Sequence, residues 1–302
     1  MAIRMTRQMT RRAFGASASA LLLSTKLVAQ TEAPLLSRPI PGSGERIPAV
    51  GLGTAYVFDV NNEVTRSKAD AVIQALVKSG GRLIDTASTY GDAESVLGEV
   101  TAAAGLRDKL FIATKLESPD AKELKRSLVR LKTASVDLLQ LHNVSSRQQS
   151  LERFREWKKQ GVCRYVGITS TFRRDYPVVE AVLGREKPDF VQIDYSLDNR
   201  EAEKAILPLA ADIKAGVLTA LPYGNGRLFR AVHGKELPDW ARDFANSWGQ
   251  FFLKYLLGDP RVTAVIPGTS NPAHMADNAG AMQGPLPDPD QRRRMVQFVE
   301  AL

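Results

Sequence analysis

From residue 45 onward, short apolar runs alternate with amphipathic stretches, and the alternation repeats eight times. The apolar runs lie at 49–54, 82–86, 110–115, 136–142, 164–169, 190–195, 217–222 and 262–267. They are largely continuous, the pattern of parallel strands buried on both faces. Between them, 65–79, 93–104, 120–132, 148–160, 175–183, 201–215, 240–257 and 272–282 read as helices. In the third of these, Leu124, Leu128 and Leu131 share one stripe that would pack on a sheet. Eight strand–helix units without a linker or a break in composition predict a single eight-stranded parallel β/α barrel (a TIM barrel) within residues 36–302. Ahead of the first strand, Pro41-Gly42-Ser43-Gly44 reads as a hairpin turn placed to plug the barrel bottom, and 289–302 as a closing helix. An open doubly wound sheet is the runner-up. Against it, Gly51-Leu52-Gly53 and Gly224-Asn225-Gly226 both lack the third glycine of a dinucleotide fingerprint.

Composition adds little to this picture until the charge is located. With 302 residues, 44% of them hydrophobic, the chain can build a core without staples. A lone Cys163, read as a small core residue, excludes a disulfide framework, and three histidines argue against a multi-ligand metal site. The net charge of +8 falls to +3 once Arg4, Arg7, Arg11, Arg12 and Lys26 are set aside, because residues 1–30 hold no acid. The remaining dense run, Arg292 to Arg294, reads as a solvated helix face, so no nucleic-acid partner is expected. Thr10-Arg11-Arg12-Ala13-Phe14, then a weak apolar stretch over 16–23, resembles a twin-arginine (Tat) export signal ending near Ala29. That stretch is too short to span a bilayer, and no cysteine follows it, so no stable membrane anchor is expected. The reading is a signal peptide over 1–30, the Tat export machinery as partner, and a periplasmic protein.

Barrels of this kind carry their chemistry where strands end. The second, third and fourth strands end in Asp85 with Tyr90 just beyond, in Lys115 and in His142, so four ionisable groups reach one rim from three adjacent units. Each alone has an ordinary explanation: a cap, a solvated rim charge, a hydrogen-bonded ring. Together, and in this order, they have a chemical one. A buried lysine needs the counter-charge that Asp85 supplies. The ammonium beside a phenol is expected to lower the Tyr90 pKa toward neutrality, which suits proton exchange with a carbonyl oxygen that His142 orients. No side chain donates hydride, so a nicotinamide cofactor is implied.

Pro48-Ala49-Val50-Gly51-Leu52-Gly53-Thr54, Ile84-Asp85-Thr86-Ala87 with Tyr90-Gly91, Lys115, and Ser127 to Leu131 through Val136-Asp137-Leu138-Leu139 to His142 resemble the aldo-keto reductases. The likeness continues in Val166-Gly167-Ile168-Thr169-Ser170, Val191-Gln192, Ile266-Pro267-Gly268-Thr269-Ser270 and Asp277-Asn278, so it covers roughly residues 36–283. The resemblance implies an NAD(P)H-dependent oxidoreductase that moves a hydride to the carbonyl of a small aldehyde or ketone, with NADP(H) as cofactor and NAD(H) as the alternative. By matching position Tyr90 would be the general acid, Lys115 and Asp85 its tuning pair, and His142 the group that orients the carbonyl. Cofactor contacts would come from Thr54, Asp85, Thr169, Ser170, Gln192, Pro222, Gly224, Gly268, Thr269, Ser270, His274, Asp277 and Asn278. A redox-sensing or regulatory NADP-binding barrel with little turnover is the alternative reading.

Three departures stand out. Relatives often carry Lys and Arg where this chain has Gly268 and His274, so two fixed charges that would grip a 2′-phosphate are missing. The aromatic that relatives stack on the nicotinamide is replaced by Ala220, with Tyr223 just beyond Pro222. The loops that carry specificity are short, with the fourth strand expected to run almost directly into its helix.

Overall fold

The computed structural model describes residues 1–2 and 34–302. The remainder of the segment read as an export signal lies outside the described residues. Two short strands, β1 (Ser37–Pro39) and β2 (Arg46–Pro48), pair antiparallel around the Pro41–Gly44 turn, as expected. Gly44 adopts φ +76°, a conformation glycine takes without strain. The hairpin sends Ile40 and Ile47 into the barrel bottom. There they are fully buried against Leu83, Phe111, Leu138, Tyr165, Phe190 and Leu218.

Eight parallel strands follow in chain order: β3 (Leu52–Gly53), β4 (Leu83–Asp85), β5 (Phe111–Leu116), β6 (Val136–Leu141), β7 (Cys163–Ser170), β8 (Phe190–Asp194), β9 (Gly216–Ala220) and β10 (Ala264–Val265). Bridges Val50 to Val265 and Gly53 to Gly268 close β10 onto β3. The helices are α1 (Glu63–Lys78), α2 (Ala93–Ala103), α3 (Ala121–Arg130), α4 (Glu152–Lys159), α5 (Tyr176–Glu186), α6 (Ile206–Asp212), α7 (Arg227–Ala231), α8 (Trp248–Leu257), α9 (Pro272–Gly280) and α10 (Pro289–Glu300). A second core, between strands and helices, takes the alternate strand residues, among them Ile84, Ile112, Leu139, Val166, Val191 and Val217.

The period-2 geometry of the strands turns this packing into a functional layout. On β4 the inward series runs Leu83 then Asp85, on β5 Ala113 then Lys115, on β6 Leu138 then Gln140, and on β8 Phe190, Gln192 and Asp194. Apolar side chains fill the lower barrel and polar ones the upper layer. Register carries that layer around the sheet: Gly53 opposite Asp85, Lys115 opposite Gln140, Thr169 opposite Gln192, and Asp194 opposite Ala220.

Three expectations need correction. The helix expected over 240–257 starts only at Trp248, because Ser247 is extended and its hydroxyl accepts from the Gln250 amide, capping α8 there. The short α7 fills part of the region before it. The fourth helix starts at Glu152 rather than 148. Gln149 Oε1 accepts from the Ser145 and Ser146 amides at 2.9 Å each, which fixes a turn and leaves 142–151 as a loop. Arg292 is not part of a solvated helix face. It donates to the Tyr255 carbonyl and the Tyr195 hydroxyl and lies 4.5 Å from the Tyr255 ring centroid, tying α10 to the barrel wall. Cys163 is a core residue as read, and burial pushes its thiol up to about 12.

Candidate active site

Lys115 is the pivot of the upper layer. It is 1% exposed, and its ammonium donates to Asp85 Oδ2 at 2.6 Å and to the Thr86 carbonyl at 2.8 Å. Burial opposes its charge, but Asp85 and Tyr90 outweigh that cost and hold the pKa above its ordinary value. The ammonium lies 4.7 Å from the centroid of the Tyr90 ring. Tyr90 meets the His142 ring edge-on at 5.7 Å. The four residues expected to work together are therefore in contact around one point of the rim.

The backbone that presents Tyr90 is tightly held. The Tyr90 amide donates to the Ala87 carbonyl, and its own carbonyl accepts from Ala93 in the first turn of α2. Gly91 follows at φ +52°, and a Cβ there would lie 2.4 Å from the Asp59 carbonyl oxygen, so only glycine lets the loop close behind the phenol.

One electrostatic expectation is overturned. The Tyr90 pKa is raised, not lowered. Burial disfavours the phenolate, Lys115 pulls the other way, and Asp85 cancels part of that pull. The phenol is thus a protonated donor at neutral pH. Burial and the neighbouring ammonium also depress His142 below its ordinary value, against the pull of Glu117 and Asp85.

Several residues around this point escaped the sequence reading. Gln140 links Asp85 Oδ1 and Gln192 Oε1 through its amide at 3.4 and 3.5 Å. Glu117, just past β5, meets His142 Nδ1 at hydrogen-bond distance and accepts from the Thr89 hydroxyl at 3.2 Å. Glu117 lies two residues after Lys115 and Gln140 two before His142, and that strand parity was the available signal. Asn143 adopts φ +46°, which asparagine tolerates better than most residues, and its buried Oδ1 has no partner among the described residues. Gln140 Oε1, Thr54 Oγ1 and Asp194 Oδ1 are likewise buried without partners. Burial raises Asp194 to about 6.

The expected cofactor positions fall into four groups. Thr54, Asp85, Thr169, Ser170 and Gln192 are buried in the upper layer; the Thr54 amide donates to the Asp85 carbonyl, and Ser170 Oγ accepts from the Phe172 amide. Pro222 and Gly224 form the turn after β9. Gly224 has φ +58°, and a Cβ would strike the Asp198 carboxylate at 2.5 Å. Gly268, Thr269, Ser270 and His274 lead from β10 into α9, which Asn271 caps by accepting from the Ala273 amide. His274 is exposed. Asp277 and Asn278, farther along α9, hydrogen-bond within the protein. Asp277 accepts from Ser247 and Gln250, and Asn278 from the Tyr223 hydroxyl, so both tie α9 to its neighbours. A surface cavity of about 780 Å³ between α1 and α2 contains none of these residues.

The aldo/keto reductase family profile matches residues 49–296. The chain is 29% identical over 253 residues to the methylglyoxal reductase YeaE of Escherichia coli, covering 78% of this chain and 86% of that one. It is 28% identical over 279 residues to the oxidoreductase YqkF of Bacillus subtilis, covering 78% and 87%. An aldo-keto reductase of Klebsiella pneumoniae, solved in complex with NADPH, superposes with a TM-score of 0.74 at 23% identity, over 88% of this chain and 96% of that one. At that identity the likeness speaks for the fold.

Proposed function

This chain belongs to the aldo/keto reductase family, and we propose that it is an exported NADP(H)-dependent reductase of small aldehydes and ketones with Tyr90 as general acid. The observation that carries this reading is the buried Lys115–Asp85 pair beneath a phenol that burial keeps protonated. Such a phenol gives its proton to an oxygen that gains charge, and the ammonium steadies the phenolate left behind.

The upper layer suits a nicotinamide. Its unpartnered Gln140 and Asn143 oxygens, with Ser170 and Gln192 beside them, offer both acceptors and donors to a carboxamide. When bound, the nicotinamide supplies the hydride that no side chain has. Thr269, Ser270 and the capped start of α9 would take the nucleotide phosphate end through N–H groups and hydroxyls. The test is oxidation of NADPH by purified protein with methylglyoxal and with a plain aldehyde; methylglyoxal is chosen because of the activity named for the Escherichia coli relative. No oxidation above the protein-free rate with either substrate overturns the reading.

Coenzyme choice is expected to be permissive, with NADPH ahead of NADH. Gly268 brings no charge to the 2′-phosphate site and His274 replaces a guanidinium. Each lost charge-assisted contact removes roughly 1.5–3 kcal/mol of preference. Measured kcat/KM values for the two coenzymes should differ by less than about a thousandfold, or about 4 kcal/mol. A larger ratio means that another basic residue grips the phosphate.

Export rests on the Arg11-Arg12 pair and the weak apolar stretch after it. A folded barrel that loads its nucleotide before crossing would carry to the periplasm a cofactor made in the cytoplasm. Replacing both arginines by lysine should confine the protein to the cytoplasm, read by fractionation. Mass spectrometry of wild-type protein from the periplasm should find bound nucleotide. Continued export of the double-lysine variant rejects the route, and empty periplasmic protein rejects the loading.

A further inference from the structure

The family resemblance would have His142 orient the substrate carbonyl, and what the ring can do there depends on which nitrogen carries its proton. Lys115 and Glu117 rise on the same face of β5 and the residues just past it. Glu117 Oε1 receives His142 Nδ1 and, at 3.2 Å, the Thr89 hydroxyl. Thr89 Oγ1 is 3.4 Å from Nδ1, farther than from the carboxylate, so the threonine proton goes to Glu117 as well. An ionised carboxylate only accepts, so Nδ1 must donate. In the neutral ring the other nitrogen, Nε2, is then a bare lone pair.

We propose that Glu117 is a positioning residue that holds His142 as the Nδ1–H tautomer, so that the neutral ring accepts from an alcohol and only the imidazolium donates to a carbonyl. The inference rests on the reductase reading for its catalytic consequence, but not for the tautomer itself. The groups facing the ring are Asp85 and Tyr90 from β4 and the loop after it, and Lys115 and Glu117 from β5. Burial and Lys115 disfavour the imidazolium; Glu117 and Asp85 favour it. The balance leaves its pKa below the ordinary 6.5. Carbonyl reduction should therefore keep rising as pH falls below 6.5, while alcohol oxidation has the ring it needs at neutral pH.

Glu117→Gln separates this from a structural role. Its amide has the shape of the carboxyl group but also donates, so Nδ1 can become the acceptor and Nε2 can carry the proton. The side chain is 47% exposed, so the change leaves the core intact. The first readout needs no catalysis. Long-range 15N–1H correlation on a protein with three histidines, assigned with His233→Gln and His274→Gln variants, should show His142 as Nδ1–H in wild type and a shifted population toward Nε2–H in Glu117→Gln. A wild-type Nε2–H ring overturns the proposal. The second readout is kcat/KM for carbonyl reduction against pH. If only the imidazolium serves, wild type should lose about tenfold per pH unit above the ring's pKa, whereas Glu117→Gln should fall by less than about threefold between pH 6.5 and 8. Parallel profiles overturn the catalytic consequence. An Nδ1–H ring in a protein that reduces no carbonyl would leave the tautomer standing and remove the reductase reading, so the two failures are distinguishable.

Discussion

Tyr90→Phe should lower kcat for carbonyl reduction by roughly 10²–10⁴ and leave nucleotide affinity within about twofold of wild type. In the proposed reaction the phenol hydroxyl acts on the substrate oxygen, whereas most of the residues placed for the nucleotide lie on β7, β8 and the segments after β9 and β10. Phenylalanine keeps the ring over the Lys115 ammonium and the edge-on contact with His142, so the loop before α2 should hold its place. Burial keeps the phenol protonated. The reduction direction should therefore show no loss of general acid up to pH 10, and any fall at lower pH belongs to another group. Stopped-flow turnover and fluorescence titration of NADPH check the two halves separately. If Tyr90→Phe keeps more than about a tenth of wild-type kcat, the proton comes from elsewhere.

The strand-end chemistry was legible because the periodicity of a buried strand is rigid. Once 110–115 is a strand whose Ala113 faces in, Lys115 must face in too, and the same step takes Leu83 to Asp85 and Leu138 to Gln140. Helix starts were less legible, because Ser247 and Gln149 use side-chain hydrogen bonds to stop a helix that the apolar pattern would extend. The direction of the Tyr90 shift was not legible at all. Sequence places a cation beside the phenol, but burial depends on how the loops close over it, and here burial is the larger effect. The contacts that Asp277 and Asn278 make within the protein were hidden in the same way. Nothing in α9 alone says that Ser247, Gln250 and Tyr223 would reach them.

Lys115→Met should be the most damaging single change, because it strikes stability and turnover together. Methionine fills most of the space of the lysine stem but leaves Asp85 3% exposed, with only a 3.4 Å contact from the Gln140 amide in place of an ammonium. Breaking a buried pair on one side costs about 3–5 kcal/mol, mainly from the charge left unpaired. The native pair has its own pH signature. Because the Lys115 pKa is raised in the folded protein, its contribution is complete below the ordinary 10.5 and is lost as pH climbs through the higher folded value. Activity should fall by roughly 10²–10⁴, since the phenolate left on Tyr90 loses its nearest positive charge. Loss of folding could mimic loss of chemistry, and the double variant Lys115→Met/Asp85→Asn separates them. It removes both charges, so denaturation should show most of the stability restored, while turnover stays at the level of the single variant. A double variant that recovers both would mean that the pair only holds the barrel together and that Tyr90 works without it.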